Sequence, residues 1–349
     1  MSTARFWAWR LFCVALGAAA LLGASAAVSW LRATGWLDDY TYRVLMLCGI
    51  NILLAVSLNL INGITGQFSI GHAGFQGVGA YASAALTVFV LAPWLGQRGW
   101  QGSTLADTLL LVAAIVFGGF TAGIAGLVVG IPSLRLRGDY LAIATLGFGE
   151  IIRVSILNIE QVGGARGFSG IPLVTTFLGL YVMVVLLLAL SRNLLVSSQG
   201  LAFLAVRDDE IAAEAVGVNT TRIKVIAFVL GATFAGVAGA LYAHFDGYLN
   251  PDNFRLDQSI IILTMVVLGG QGSVTGSVLS AVLLTAVLEW LRFLPTITLG
   301  GRAFTPSELR MVFFSVMLIL LMLWRPKGLL GQREFGWHVL RQYWRLLKS

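Results

Sequence analysis

Charge is scarce in this 349-residue chain. Charged residues make up 11% and the set AVILMFWYC 58%, whereas ordinary soluble domains carry about 25% charged and about 45–50% apolar residues with glycine counted. A water-facing surface cannot be built from that composition. Cysteine is nearly absent too. Cys13 and Cys48 both lie in apolar stretches, which excludes a disulfide scaffold and a thiolate metal site. The three histidines, His72, His244 and His338, are far apart and none sits in His-Glu-x-x-His, so spacing excludes a membrane metalloprotease. Lys224, Lys327 and Lys348 each lack the G-x-x-x-x-G-K-[ST] context, and there is no Gly-x-Ser-x-Gly elbow. The chain therefore has no phosphate loop of its own and no such hydrolase nucleophile. Proline is scarce at 7 while glycine reaches 41, a composition suited to helices that pack backbone against backbone in a bilayer.

What is present is a series of apolar runs. Crossing the hydrocarbon core takes about 20 helical residues, with a working range of about 17–25. Ten candidates run approximately from Leu11 to Leu31, Tyr42 to Asn62, Gly77 to Leu91, Thr108 to Ile131, Tyr140 to Leu157, Pro172 to Leu190, Ile223 to Ala243, Ser259 to Gly269, Val274 to Leu294 and Leu309 to Trp324. The third and eighth are short, so each is expected to extend into its glycine-rich neighbour or to be broken. The expected fold is all-α, a polytopic membrane protein of about ten transmembrane helices. Residues 1–331 form the membrane domain, 191–224 a polar segment within it, and 332–349 a basic aromatic tail.

A formal charge of +7 raises nucleic acid as a partner, but the basic residues cluster at the ends of apolar runs and in the tail, as at the cytoplasmic face of a membrane. Placing both termini in the cytoplasm gathers Arg5, Arg10, Arg135, Arg137, Arg192, Arg207, Arg222, Lys224 and the tail from Arg325 to Lys348 inside, in keeping with the positive-inside rule. Trp337, Tyr343 and Trp344 beside Arg341, Arg345 and Lys348 suit contact with the lipid interface. The first apolar run has the look of a signal peptide, ending in Ala24-Ser25-Ala26, yet it continues to a full membrane length through Val28 and Leu31. An uncleaved first span is the preferred reading.

The polar segment carries a helical pattern. Leu201, Leu204, Ala205, Ile211, Ala212, Ala215 and Val216 recur at three- and four-residue steps, while Arg207, Asp208, Asp209, Glu210 and Glu214 supply a charged face. The pattern predicts one amphipathic helix ending at Gly217, a plausible C-cap. Such a helix either lies on the membrane or docks on a protein; four acidic residues would repel an anionic leaflet, which favours the protein.

Glycines crowd Asn62 to Gly77 so closely that an uninterrupted helix is costly, at about 1 kcal/mol per Gly relative to Ala. A break near the membrane is expected, and unwound backbone survives there only against protein or a watery cavity. The segment is then either a pathway lining, with Gln67, Ser69 and His72 as polar contacts, or a tight turn before a Gly-packed helix. Gly66-Gln67-Phe68-Ser69 also matches Gly270-Gln271-Gly272-Ser273 at three of four positions, a similarity that glycine abundance alone could produce. Two pairs, Glu150 with Arg153 and Glu289 with Arg292, lie within spans at i,i+3, on one helix face. A charge at the bilayer centre costs about 2.5–3.5 kcal/mol on insertion scales. Each pair either contacts a zwitterionic solute or ties spans together.

Three motifs resemble one family. They are Asn59-Leu60-Ile61-Asn62-Gly63 with Gly66-Gln67-Phe68-Ser69-Ile70-Gly71-His72-Ala73; the run from Leu136 to Glu150, which includes Thr145; and the run from Ala205 to Gly217. Together they resemble the permease subunits of ATP-binding-cassette importers for branched-chain amino acids, the longer of the two paired permeases, over about Leu45 to Gly331. The resemblance implies a bacterial inner-membrane subunit that pairs with a related permease, two cytoplasmic ATPases and a soluble binding protein outside, and that binds no cofactor itself. It implies an ATPase-coupling segment of Arg207, Asp208, Asp209, Glu210, Glu214 and Gly217, although the Ile-x-Leu-Pro ending of many importers is missing. The residues themselves, apart from the resemblance, make Gln67, Ser69, His72, Thr145 and Glu150 the candidates for the transport pathway. Similar permeases carry urea, short amides and other amino acids. A secondary transporter or channel without ATPases is the other class; a membrane enzyme finds no convergent catalytic set.

Overall fold

The structure is a computed structural model that describes residues 3–97, 103–133, 138–293, 297–299 and 302–304, with 316, 319, 320, 323, 328–331 and 334. Twelve α-helices occur among the described residues: α1 Thr3–Ala33, α2 Asp39–Asn59, α3 His72–Leu86, α4 Ala92–Gln97, α5 Thr104–Ser133, α6 Asp139–Leu157, α7 Phe177–Val196, α8 Ser198–Asp208, α9 Glu210–Ala215, α10 Thr220–Asp246, α11 Leu256–Gly269 and α12 Val274–Trp290. Among the described residues, strand structure is confined to two small antiparallel pairs. Strand β1 Phe168–Ser169 meets β2 Tyr248–Leu249, and β3 Ile297–Leu299 meets β4 Arg302–Phe304.

Seven helical stretches among the described residues are long and apolar enough to cross a membrane: Asp39–Ile64, His72–Gly96, Thr104–Ser133, Tyr140–Leu157, Phe177–Val196, Thr220–Asp246 and Val274–Phe293. They coincide with the second to seventh and the ninth expected spans. The first expected span lies within α1. The eighth is α11, which has only 14 residues, about 21 Å at 1.5 Å per residue, and so falls short of the hydrocarbon thickness. The tenth, Leu309 to Trp324, lies outside the described residues except at 316, 319, 320 and 323. The third is longer than expected, because wide π turns at Thr87–Leu91 carry the helix on from α3 into α4.

Helix α10 is the centre of the bundle, and glycines explain how closely its neighbours approach. A methyl group at Gly79 of α3 would fall 2.3 Å from the Gly236 Cα, and one at Gly239 would fall 2.0 Å from the Gln76 carbonyl oxygen. Helix α5 joins them, with Gly126 against the Ala232 side chain. Backbones so close gain dispersion contacts that bulkier residues would forbid. Phe75 and Phe228 meet edge to face nearby, with ring centroids 5.5 Å apart. At one end of the bundle, β1–β2 and the Arg153–Asp252 contact of 3.5 Å join α6 to the turn after α10. At the other end lie the glycine-rich turns, α8, α9 and residues 328–331.

Candidate functional site

The expected break before α3 is present. The end of α2 widens into a π turn, Leu60–Ile64; the chain then runs without helix until α3 starts at His72. Side chains from three elements satisfy the exposed backbone. Asn62 pairs with Ser69 in both senses, accepting from its amide at 3.2 Å and donating to its carbonyl at 3.3 Å. Thr145 of α6 accepts from the Ile70 amide at 3.1 Å, and Ser259 of α11 from the Ala73 amide at 3.1 Å. The glycine run divides in two: Gly66 sits in the break with φ +69°, while Gly74 and Gly79 are packing positions inside α3, against Gly149 and Gly236.

Gln67, Ser69, His72 and Thr145 are all buried, yet they do not converge on one chamber. Gln67 turns toward the start of α10, donating to Thr65 Oγ1 at 2.9 Å and the Lys224 carbonyl at 3.3 Å. His72 turns to α2, its Nε2 2.8 Å from Ser57 Oγ. Thr145 faces the break, and so does the backbone around Gly149, where Glu150 borders a cavity of about 10 Å³ with Ile70, Gly71 and Ser259. That is the room of about one water molecule. The Glu150 carboxylate accepts from Arg153 Nε at 2.8 Å and remains about one third exposed. Asn59 Nδ2, Gln67 Oε1, Ser69 Oγ, His72 Nδ1 and Gln76 Oε1 are buried without a hydrogen-bond partner. Leaving a buried polar atom unpaired costs about 1–3 kcal/mol, and here five such atoms fall between residues 59 and 76. Asn59 and Asn62 were not among the predicted site residues; two amides three residues apart at the end of an apolar run were the available signal.

The two Gly-Gln turns meet. A methyl group on Gly63 would lie 2.2 Å from the Gly272 amide nitrogen, and Asn59 Oδ1 accepts that amide's proton at 2.9 Å. Residues 328–331 and Glu334 cover the second turn from the other side. Leu329 and Leu330 donate to the Leu268 and Gly269 carbonyls at 2.8 and 3.2 Å, and the Glu334 carboxylate accepts from the Val274 and Thr275 amides at 2.6 and 3.2 Å. An anion there also complements the positive end of α12. Glu334, the described residue of the expected tail, is thus bonded to the start of α12.

The polar segment departs from the expected single helix. Asp209 is extended, at φ −158°, and splits it into α8 and α9; its carboxylate accepts from the Ile211 and Ala212 amides at 2.9 and 3.0 Å. An Asp that caps a helix competes with helix continuation, which periodicity alone cannot register. The expected charged outer face is present in part: Asp208, Asp209 and Glu214 are exposed, while Arg207 and Glu210 are partly covered. Glu210 pairs with Lys224 at 2.6 Å and Glu214 accepts from Thr220 Oγ1 at 2.7 Å, both at the start of α10. Arg207 is mostly covered, holding Asp208 through Nε and Nη2 at 3.0 and 2.9 Å. The residues buried inward are Gly200, Phe203, Val206 and Ala213. Apolar residues also face outward beside the exposed Asp208, Asp209 and Glu214: Leu201, Ile211 and Val216 are 67%, 71% and 79% exposed. Gly217 ends α9 at φ +88°, with its amide bonded to the Glu214 carbonyl and that of Val218 to Ala213. This is a left-handed turn that glycine adopts without the Cβ penalty.

A family model described as the branched-chain amino acid transport system permease component matches residues 40–322. The chain belongs to that family. Among individual relatives, the permease is 35% identical over 316 residues to the Salmonella typhimurium high-affinity branched-chain amino acid transport system permease protein LivM, covering 80% of this chain and 68% of that protein. It is 25% identical to the probable LivM of Methanocaldococcus jannaschii, over 84% of this chain and 94% of the relative. It is also 26% identical to LivH of Escherichia coli, over 81% and 91%. The permease is therefore a multi-pass membrane transport subunit, not an enzyme. Its family binds no cofactor, and ATP is bound by separate ATPase subunits.

Proposed function

We propose that the permease carries branched-chain or other hydrophobic amino acids across the bacterial inner membrane, as one of two paired permeases driven by two cytoplasmic ATPases and fed by a soluble binding protein outside. Likeness both to proteins named LivM and to one named LivH supports a paralogous partner. The reading includes about ten spans with both termini in the cytoplasm. In its support, α2 and α11 run toward the same end as the Gly-Gln turns, and residues 328–331 return to that end beyond the expected tenth span.

The coupling assignment rests on one observation. Leu201, Ile211 and Val216 stand exposed on a segment otherwise rich in charge, at the end of the bundle where the Gly-Gln turns lie. Apolar residues on a water-side surface mark an interaction site. In this reading Arg207, Asp208, Asp209, Glu210, Glu214 and Gly217 shape α8–α9 and the exposed apolar residues seat it in an ATPase groove. The unpaired polar atoms of Gln67, Ser69 and His72, with Thr145 and Glu150 beside them, are the groups available to a hydrated pathway. The test is co-purification: Ile211→Asp should abolish recovery of the ATPases with the permease pair in detergent. Loss of the ATPases with transport unchanged would favour a transporter that needs none. Uptake competition by leucine, urea and acetamide separates the branched-chain reading from carriage of urea or short amides.

A further inference from the structure

Arg207 lies at the junction of three elements that are remote in sequence. Its own α8 belongs to the exposed pair, but its side chain turns inward and is about one fifth exposed. A methyl group on Gly66 would lie 3.1 Å from Arg207 Cγ and 3.4 Å from its Cα; one on Gly272 would lie 3.3 Å from Arg207 Nη1. The stem of the side chain thus lies along the first Gly-Gln turn and the guanidinium reaches the second. Nε and Nη2 are held by Asp208, which fixes the plane of the fork and leaves Nη1 directed to Gly272. Neither turn has a side chain at the contact. Glycine at both positions lets an arginine occupy the space that Cβ atoms would fill, and both glycines take a positive φ, +69° and +90°. Asn59 and Gly63 join the two turns directly, so Arg207 abuts a single unit that connects α2 to α3 and α11 to α12.

We infer that Arg207 is a positioning residue that ties α8–α9 to both Gly-Gln turns, so that a displacement of the pair moves the ends of α2, α3, α11 and α12 together. This rests on α8–α9 being the ATPase-contacting element and adds the path by which its motion enters the membrane domain. A long planar side chain, clamped by Asp208 and packed on bare backbone, transmits a push with little slack. A lysine keeps the stem against Gly66 but has no fork for Asp208 to hold.

The experiment uses the complete importer, permease pair with ATPases, in liposomes with its binding protein, on a background lacking Cys13 and Cys48. Complexes carrying Arg207→Ala, Arg207→Lys or Ile211→Asp are assayed for assembly, ATP hydrolysis and solute moved per ATP. A single cysteine replacing the exposed Gln271 reports on the second turn through its thiol-labelling rate with and without trapped nucleotide. Arg207→Ala should assemble and hydrolyse ATP, lose about fivefold or more in solute moved per ATP, and abolish the nucleotide-dependent change in labelling at position 271. Arg207→Lys should fall between it and the wild type. Two results would overturn the inference. In one, Arg207→Ala keeps wild-type coupling and labelling while Ile211→Asp loses the ATPases, so the pair docks but Arg207 transmits nothing. In the other, Arg207→Ala itself fails to bind the ATPases, which makes Arg207 a docking residue. If Ile211→Asp instead transports normally with ATPases attached, the underlying coupling assignment fails.

Discussion

Asn59 Oδ1 accepts the Gly272 amide proton at 2.9 Å, across 213 positions of sequence. That bond closes the end of the bundle by joining the π turn after α2 to the turn before α12. Asn59→Leu removes the acceptor and leaves a partly buried N–H unpaired, at a cost of about 1–3 kcal/mol. A lower midpoint of thermal unfolding for the purified permease is expected. An unchanged midpoint would show that another group takes the proton.

Orientation is tested by labelling. Gln199 on α8 and Asp252 in the turn after β2 are both exposed and lie at opposite ends of the bundle. With α8 in the cytoplasm, a cysteine at Gln199 is shielded from an impermeant reagent in intact spheroplasts, as is one at Gln332, while cysteines at Asp252 and Gln97 react. Labelling of position 199 from outside would invert the topology.

Glu150→Gln keeps the shape and hydrogen bonding of the side chain but deletes its charge beside the 10 Å³ cavity. Slower uptake is expected with unchanged ATPase binding. Uptake at the wild-type rate with unchanged pH dependence would leave Glu150 as a tie to Arg153, which itself reaches Asp252.

Gly217 lies at φ +88° and has open space where a Cβ would stand. Gly217→Ala and Gly217→Trp should therefore destabilise the isolated permease equally, by about 1–2 kcal/mol from backbone strain. Only Gly217→Trp should weaken ATPase recovery, because its bulk projects toward the partner. Asp208→Asn, at an exposed ion pair, should leave recovery unchanged. Equal ATPase recovery with Gly217→Trp and Gly217→Ala would place the turn away from the dock.

Composition alone determined that this chain lives in a membrane, because 58% apolar residues and 11% charged leave no other solvent for its surface. Run length located seven of the spans, and glycine density located the break before His72, since both are local properties of the chain. The motif around Ala205 to Gly217 likewise marked the polar segment. Its internal arrangement was another matter. Period-3.6 spacing records which residues share a helix face, but Asp209 ends that helix through a side-chain bond to amides, and Glu210 and Glu214 then bond to Lys224 and Thr220 at the start of α10. Leu201, Ile211 and Val216 consequently stand exposed beside Asp208, Asp209 and Glu214. The match between residues 66–69 and 270–273 was equally ambiguous in sequence. Only the tertiary structure brought both turns against Arg207, because a contact between bare glycine backbones leaves no side-chain pattern from which it could be read.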